Sequence, residues 1–221
     1  INGNITGSYT IQGDLYQPAG RTSGATVGGQ LIEYDVPQQL PCPCAEDEKI
    51  NIAGITNFGS SNNDNAELDF DGDQWNGQTG PSELNLECGR YYISGVTPPD
   101  GSNPQNFTVN AAGRTMLFID GDFHVGNLGI NVAEGAEVDI FVAGDVIIGS
   151  SASFGDRDRP SSVRTYVGGQ MTLSASSVFA GNVYAPNADV FFNGSANVYG
   201  SLFVNIANFG ASANIHFDEA I

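Results

Sequence analysis

The sequence predicts an all-β protein, a parallel β-helix (β-solenoid) with a small insertion clipped to it by a disulfide. Three observations favour this fold: a repeated strand–corner–strand pattern, 29 glycines in 221 residues, and charged residues limited to 14%. An average globular protein carries about a quarter charged residues. The polar surface of this chain must therefore come from Asn, Ser, Thr, Gln and Gly, as in β-rich secreted proteins.

The repeat pattern occurs in four segments: MLFIDGDFHVGN (116–127), DIFVAGDVIIGS (139–150), RTYVGGQMTLSA (164–175) and SYTIQGDLY (8–16). The first and second align at an offset of 23 (Asp145 minus Asp122), and the second and third at an offset of 25 (Gly169 minus Gly144). Apolar residues alternate within each short strand, which is typical of a half-buried strand. One coil cannot bury its apolar face by itself, so the repeats are expected to stack.

Each repeat has a Gly-Asp or Gly-Gly corner, where glycine permits backbone angles that other residues resist. An aspartate beside it can accept hydrogen bonds from neighbouring backbone amides. Because catalysis needs one site and these aspartates recur, we predict a structural role for Asp14, Asp120, Asp122 and Asp145. His124 falls where Ile147 falls in the next repeat, which places it in the solenoid wall.

The chain divides into N-terminal strands (1–35), an insertion with cysteines and an acidic loop (36–88) and the main solenoid (89–221). Helical signals are weak. Residues 44–58 (CAEDEKINIAGITNF) favour a single helix packed on the solenoid, with an edge strand plus loop as the alternative.

The net charge of −18 repels phosphate backbones and anionic lipid surfaces, so we expect neither nucleic-acid binding nor membrane insertion. No apolar run reaches the length that spans a bilayer. The chain begins at Ile1, which we interpret as a mature or trimmed product with an extracellular or cell-surface location.

The three cysteines are Cys42, Cys44 and Cys88. A bridge between Cys42 and Cys44 across Pro43 would be strained, so we expect one of them to bond Cys88. A zinc site is the alternative, although no histidine lies near the three thiols in the sequence.

The segment DFDGDQWNG (69–77) predicts a Ca²⁺ site, because Asp69, Asp71 and Asp73 alternate around a glycine turn. Asn65 and Asn76 could add oxygen ligands. No glutamate stands at the twelfth position of the loop, where an EF-hand has one, and a solvated acidic turn is the alternative.

Eight aromatic residues fall at equivalent strand positions, which favours stacking along the solenoid core, with a sugar-binding stripe as the alternative. They are Tyr91, Tyr92, Tyr166, Tyr184, Tyr199, Phe191, Phe192 and Phe203. The charged run from Asp156 to Arg159 could form a carbohydrate-cleaving site, but local charge pairing is favoured. With no nucleophile motif, we expect no enzyme.

Several segments together resemble a poorly characterised β-helical domain of bacterial surface proteins, found in myxobacteria and their relatives and sometimes fused to type IV pilus accessory modules. They are 88–94 (CGRYYIS), 113–122, 134–144, 159–169, 181–189, 215–221, 41–44 (PCPC) and 62–66 (NNDNA). The resemblance covers about two thirds of the chain. It implies a β-helix at a cell surface and carries no catalytic residues over.

Open strand edges at the ends of a solenoid can pair with another chain. We therefore expect a structural subunit of an extracellular filament or surface assembly, polymerising as a homo-oligomer through Ile1, Ile5, Tyr9 and Ile11. The alternatives are a monomeric adhesin that binds surface glycans and a carbohydrate-active β-helix enzyme.

Overall fold

The computed structural model describes residues 5–35, 49–68, 71–99, 102–173, 177–210 and 212–216, with side chains described from residue 10 onwards. The protein is mostly β-strand and has one α-helix, α1 (Ile52–Ser61), in this part of the chain. The strands are β1 (Ile5–Gln12), β2 (Leu15–Pro18), β3 (Ser23–Val27), β4 (Leu31–Tyr34), β5 (Ser82–Leu86), β6 (Gly89–Ile93), β7 (Phe107–Ala111), β8 (Arg114–Ile119), β9 (Phe123–Val125), β10 (Leu128–Val132), β11 (Glu137–Val142), β12 (Val146–Ile148), β13 (Ala152–Phe154), β14 (Val163–Val167), β15 (Met171–Leu173), β16 (Ser177–Phe192), β17 (Ala196–Phe209) and β18 (Ala213–His216).

The strands stack as a parallel β-solenoid of about five turns, so the predicted all-β, parallel β-helical fold is confirmed. Three faces run along it. Face A has the strand order β3-β1-β18-β17-β16-β13-β10-β7-β5. Face B stacks β6, β8, β11 and β14, and face C stacks β9, β12 and β15; β16 and β17 are long enough to continue all three faces.

The pairing register agrees with the repeat offsets in the sequence. Val146 pairs on one side with Phe123 and on the other with Met171, its counterparts in the preceding and following repeats. His124 pairs with Ile147, as the repeat predicted. The repeat therefore indicated both the fold and the alignment of these coils.

The core fills the interior of the coils, because alternate residues of each strand point inward. In β7, for example, Phe107, Val109 and Ala111 are buried. Aromatic rings also stack inside, with Phe154 and Phe179 at a centroid separation of 4.7 Å. Each coil covers the apolar side chains of the coil below it, which explains why a single coil would not fold independently.

The Gly-Asp corners form a ladder that joins successive coils. The Oδ1 atom of Asp122 accepts from the Asp145 amide at 2.9 Å, and Oδ1 of Asp145 accepts from the Gln170 amide at 2.8 Å. The side chain of Gln170 then accepts from the Asp189 amide at 2.8 Å. The structural role predicted for the corner aspartates is confirmed at these positions. Asp120 has different partners and accepts from a hydroxyl of α1.

The helix predicted over 44–58 is confirmed, although α1 covers a later stretch of the chain. Asn51 caps it, because its side-chain oxygen accepts from the Gly54 amide at 2.9 Å. The helix packs on face B, where Gly59 lies against the ring of Phe118. Glycine is required there, since a methyl group at position 59 would overlap that ring.

Gly144→Ala is expected to lower the free energy of unfolding by about 1–3 kcal/mol, the usual cost of overpacking. A methyl group at this corner would lie 2.8 Å from the Gly121 carbonyl oxygen and would overlap the Asp122 carboxylate. Urea denaturation measures the effect through a shift in midpoint at unchanged slope.

Gly129→Ala is the matched control, because the nearest atom, in Thr108, would lie 3.5 Å from the new methyl group. Both substitutions replace a glycine by alanine, so the change in the conformational entropy of the unfolded chain is the same for each. We expect the control to change stability by less than about 0.5 kcal/mol. Equal midpoints for the two variants would show that the corner is not tightly packed.

Candidate functional site

Residues 5–35, here called the N-terminal unit, form two coils of their own. β1 and β2 make the first coil, β3 and β4 make the second, and the two coils pair in parallel as β1 with β3 and β2 with β4. The Gly-Asp corner recurs in the unit, since Oδ1 of Asp14 accepts from the Gln30 amide at 2.7 Å. The unit therefore repeats the architecture of the solenoid on a small scale.

The N-terminal unit has a small interior. Leu15 is 3% exposed and Gln17 is 2% exposed. The Gln17 amide donates to the Arg21 carbonyl at 3.1 Å, which satisfies this buried polar group. Tyr16 and Leu31 are about half exposed, at 55% and 50%. The unit thus has few buried side chains and depends on main-chain pairing.

The N-terminal unit lies on the last strand of the solenoid. Residues 10–12 of β1 pair in parallel with residues 214–216 of β18, in the register Thr10 with Asn214, Ile11 with Ile215 and Gln12 with His216. β1 consequently lies between β18 and β3. The first segment of the chain covers the edge at which its last segment ends.

Of the four residues predicted to mediate polymerisation, Ile11 lies in this contact, where it pairs with Ile215. Ile5, Tyr9 and Ile11 belong to β1, whereas Ile1 lies outside the described residues. The sequence suggested an edge strand that pairs with a neighbouring subunit. In this structure β1 pairs with the β18 edge of its own chain, and within the described residues no strand pairs with the outer edge of β3.

The β18 edge is held in place by bonds to the coil beneath it. The Asn214 amide donates to the Asn197 side chain at 3.0 Å. The His216 ring stacks on Tyr199 with a centroid separation of 4.3 Å and nearly parallel planes. The edge that receives the N-terminal unit is therefore ordered by β17 and does not depend on β1 for its position.

At the opposite end of the solenoid, residues 62–68 and 71–77, here called the cap segment, cover the edge of β6, whereas β5 pairs with β7 alone among the described strands. The main-chain amide of Asp64 donates to the Arg90 carbonyl at 2.6 Å, and the Asp64 carboxylate accepts from the Arg90 amide at 2.7 Å. The side chain of Asn65 bonds both main-chain groups of Tyr92. It accepts from the Tyr92 amide at 2.9 Å and donates to the Tyr92 carbonyl at 2.7 Å. These groups occupy the free edge of β6 as a neighbouring strand would.

The cap segment also covers the apolar end of the core. Trp75 is 6% exposed and meets the Phe107 ring edge to face at 5.8 Å. The buried Gln105 amide donates to the Trp75 carbonyl at 2.8 Å. The two ends of the solenoid thus differ: at one end side chains bond the β6 edge, and at the other end a strand, β1, pairs with the β18 edge.

The predicted calcium ligands fall in or beside the cap segment. Oδ1 of Asp71 accepts from the Asp73 amide at 3.0 Å, and Asn76 donates to a serine hydroxyl at 2.8 Å. Asn65 uses its side-chain oxygen to cap β6, and Asp69 lies outside the described residues. Within the described ranges no three acidic, histidine or cysteine side chains converge as metal ligands would. The role of Asn65 in capping the strand was not foreseen from the sequence.

The predicted disulfide involves residues that are only partly described. Cys88 is exposed and forms no disulfide in the described part of the chain. Cys42 and Cys44 lie outside the described residues. The pairing of Cys88 with one of them therefore remains a prediction.

Six aromatic residues form one outward-facing row along face B, in register from coil to coil. They are Tyr92, Phe118, Phe141, Tyr166, Tyr184 and Phe203. By contrast, Tyr91 and Phe192 point into the core. The sequence suggested one core stack. The structure instead has an inner and an outer set, because adjacent residues of a strand face opposite sides.

The outer rings pack mainly against one another. Phe141 and Tyr166 are parallel within 8° at a centroid separation of 4.5 Å, and Tyr184 and Phe203 are parallel within 4° at 5.3 Å. Burial raises the pKa of the Tyr166 phenol, with a further contribution from the Asp139 carboxylate. A sugar ring that stacks on an aromatic side chain needs a free ring face, and here the stacked faces are already covered.

An ion-pair cluster lies beside this row. Arg164 donates to Oδ1 and, at 3.1 Å, to Oδ2 of Asp139, and it also donates to Glu137 at 2.8 Å. Asp139 is only 6% exposed. The hydrogen bond to Asp139 raises the pKa of Arg164, and the hydrogen bond from Arg164 lowers the pKa of Glu137. The cluster ties β11 to β14.

The charged run from Asp156 to Arg159 makes local bonds. Asp156 accepts from the Asp158 amide at 2.9 Å and from Nε of Arg159 at 3.2 Å. These bonds lower the pKa of Asp156, the backbone hydrogen bond being the larger cause. Arg159 also donates to the Ala133 carbonyl at 3.2 Å. The local charge pairing favoured from the sequence is confirmed.

Comparison with known proteins places most of the chain in one family. Residues 49–221 match a family model described as a domain of unknown function, DUF7305. Searches of curated proteins and of solved structures found no significant match. Within the described residues, no helix is long and apolar enough to cross a membrane. The matched range contains the solenoid and its cap segment and leaves out the N-terminal unit.

Arg164→Met is expected to lower the free energy of unfolding by about 2–4 kcal/mol, because removing one partner leaves a buried charge without compensation. The uncompensated charge is Asp139. Arg157→Met is the matched control, since Arg157 has a side chain 69% exposed. We expect it to change stability by less than about 0.5 kcal/mol. Urea titration compares the two variants.

The difference in the free energy of unfolding between wild type and Arg164→Met should also depend on pH. The pKa of Glu137 is lowered in the folded state, so its stabilising contribution is present above the unfolded-state pKa. This contribution is lost as the pH falls through the folded-state pKa, so the stability difference between the two chains should narrow below about pH 4. A constant difference down to pH 2 would contradict an ionic role for the cluster.

Proposed function

We propose that this chain, which belongs to the family of the domain of unknown function DUF7305, is a structural subunit of an extracellular filament or cell-surface assembly. In this proposal the subunits polymerise through the ends of the solenoid. The observation that carries the proposal is the parallel pairing of β1 on the β18 edge. A segment outside the family domain is bound there by main-chain pairing.

Main-chain pairing at a strand edge is a known mode of protein association. It provides affinity with few side-chain anchors, and specificity comes from the alternate side chains of the added strand. The contact between β1 and β18 has these properties, since it joins three residue pairs centred on Ile11 and Ile215. An open edge of this kind is also an aggregation hazard unless something covers it.

The difference between the two ends favours assembly over a solitary solenoid. The cap segment occupies the β6 edge with the side chains of Asp64 and Asn65, which blocks strand addition there. Among the described residues, no side chain occupies the β18 edge in this way, and β1 pairs there instead. Two ends that differ give a subunit a direction, as a subunit of an open polymer needs.

The extracellular location is part of the proposal. It is supported by the low lysine and high glycine content, by the cysteines and by the resemblance to bacterial surface domains. A calcium site at Asp71 and Asp73 remains a secondary prediction.

A monomeric adhesin that binds glycans is the competing function. Its support is the aromatic row of face B, and its weakness is that neighbouring rings such as Phe141 and Tyr166 cover each other's faces. A carbohydrate-active enzyme has less support, because Asp156 is held by local bonds to Asp158 and Arg159.

The full chain is expected to form filaments as its concentration rises toward the millimolar range, and a chain lacking residues 1–35 is expected to remain monomeric. The truncated chain keeps the whole family domain, so its solenoid should stay folded. Light scattering and negative-stain electron microscopy measure assembly, and far-UV circular dichroism checks the fold. A full chain that stays monodisperse throughout would favour the adhesin.

A disulfide between Cys88 and either Cys42 or Cys44 is expected in protein purified under oxidising conditions. Mass mapping of non-reduced peptides identifies the pair. Cys88→Ser should lower the free energy of unfolding by about 2–5 kcal/mol, the usual loss for a disulfide in a secreted domain. Three free thiols in the oxidised protein would rule out the bridge.

A further inference from the structure

We infer that the N-terminal unit is exchangeable, and that in the assembly proposed above it leaves the β18 edge of its own chain and binds the β18 edge of the next copy. The partner is thus a second copy of this chain, and the bound element is residues 5–35. The inference rests on the proposed function and adds the mechanism by which subunits join.

The unit is suited to exchange because it has its own structure. Its two coils pair with each other along β1 and β3 and along β2 and β4, and the corner bond from Gln30 to Asp14 lies within it. Among the described residues, its pairing with the solenoid consists of three residue pairs on β18. Moving from one β18 edge to another therefore breaks and re-forms one narrow set of bonds.

The receiving edge is the same in every copy. Asn214 and His216 are positioned by Asn197 and Tyr199 of β17, so the edge keeps its form when the unit departs. The contacts made within one chain and between chains are identical, which is the defining property of domain swapping.

The connection between the unit and the solenoid is long enough to permit both arrangements. Tyr184 of β16 holds the chain at Ile50 through a hydrogen bond of 3.2 Å. β16 and β3 are four strand spacings apart in face A, a rise of roughly 19 Å at about 4.8 Å per spacing. The thirteen residues 36–48 can extend to at most about 50 Å. The chain can therefore close on itself or reach a neighbour.

The geometry predicts a linear assembly. Each copy donates one N-terminal unit and offers one β18 edge, and at its other end the cap segment bonds the edge of β6. Donor and acceptor surfaces are different, so the contact is heterologous and generates open chains when it does not close on itself. At low concentration the unit is expected to bind its own edge, since covalent linkage makes that contact intramolecular and independent of the concentration of other copies.

The first experiment detects exchange between chains. A tagged Thr10→Cys chain is mixed at high concentration with an untagged Asn214→Cys chain, oxidised and separated without reductant. Thr10 and Asn214 are register partners, so exchange should give a cross-linked heterodimer whose 10–214 linkage is identified by peptide mass mapping. The native cysteines are retained, and the mapping distinguishes their bonds.

The control replaces Asn214→Cys by Asn197→Cys. Asn197 lies one coil below Asn214 in the same row, so its Cα is about two strand spacings from that of residue 10, beyond the roughly 7 Å that a disulfide can bridge. Cross-linking at 10–214 with none at 10–197 supports exchange. Equal yields would reveal random collision, and no 10–214 product would overturn the inference.

The second experiment shortens the connection so that the N-terminal unit cannot pair with the β18 edge of its own chain. Deleting residues 37–46 leaves three residues between the unit and Lys49, a reach of about 14 Å, less than the rise of roughly 19 Å. The unit then cannot reach its own edge. Dimers or longer chains should form at concentrations at least tenfold below those the full chain needs, as measured by sedimentation velocity.

The matched control replaces residues 37–46 by ten Gly and Ser residues, which also removes Cys42 and Cys44 but keeps the length. It should remain monomeric under the same conditions. If the shortened chain is folded and monomeric, exchange is wrong. If wild-type filaments form without any 10–214 linkage between chains, the structural function stands and exchange fails. If only the shortened chain associates, the edge works between chains but the filament function fails.

Discussion

Parallel hydrogen bonding between successive coils is the interaction on which the rest of the structure depends. It sets one strand above another at a fixed spacing, so that equivalent residues of each coil line up. Corner aspartates, inner apolar residues and outer aromatic rings form rows for this reason. The hydrogen bond that the Asp145 amide donates to Asp122 and the stack of Phe141 on Tyr166 both follow from the register of face B and its corner.

The same stacking leaves unpaired main-chain N–H and C=O groups at each end of the solenoid. At one end Asp64 and Asn65 bond the main chain of β6, and Trp75 covers the core. At the other end the N-terminal unit supplies strands. The first solution uses side chains of Asp64 and Asn65, which bond the main chain of one strand. The second uses a segment that every copy carries, and this asymmetry connects the fold with the proposed function.

The sequence predicted most of the fold, because the repeat encodes it directly: the spacing between the aligned repeats fixes the register of β9, β12 and β15. It predicted the corner aspartates and a helix. It missed the outward row that includes Phe118 and Phe141, and the capping role of Asn65. Both depend on which side of a strand a residue faces and on contacts between distant segments. The position of β1 on β18 was not predictable either, since any edge strand of suitable pattern is a possible partner.

The charge of the chain limits how the ends can meet. With a net charge of −18, two copies repel each other, and at physiological ionic strength salt screens this repulsion beyond a Debye length of about 8 Å. The contact on β18 has few charges, since Thr10, Ile11 and Gln12 meet Asn214, Ile215 and His216. Repulsion therefore opposes the approach of copies while the contact itself remains favourable. A surface of this kind keeps dilute chains apart and lets strand pairing dominate where many copies are held close together.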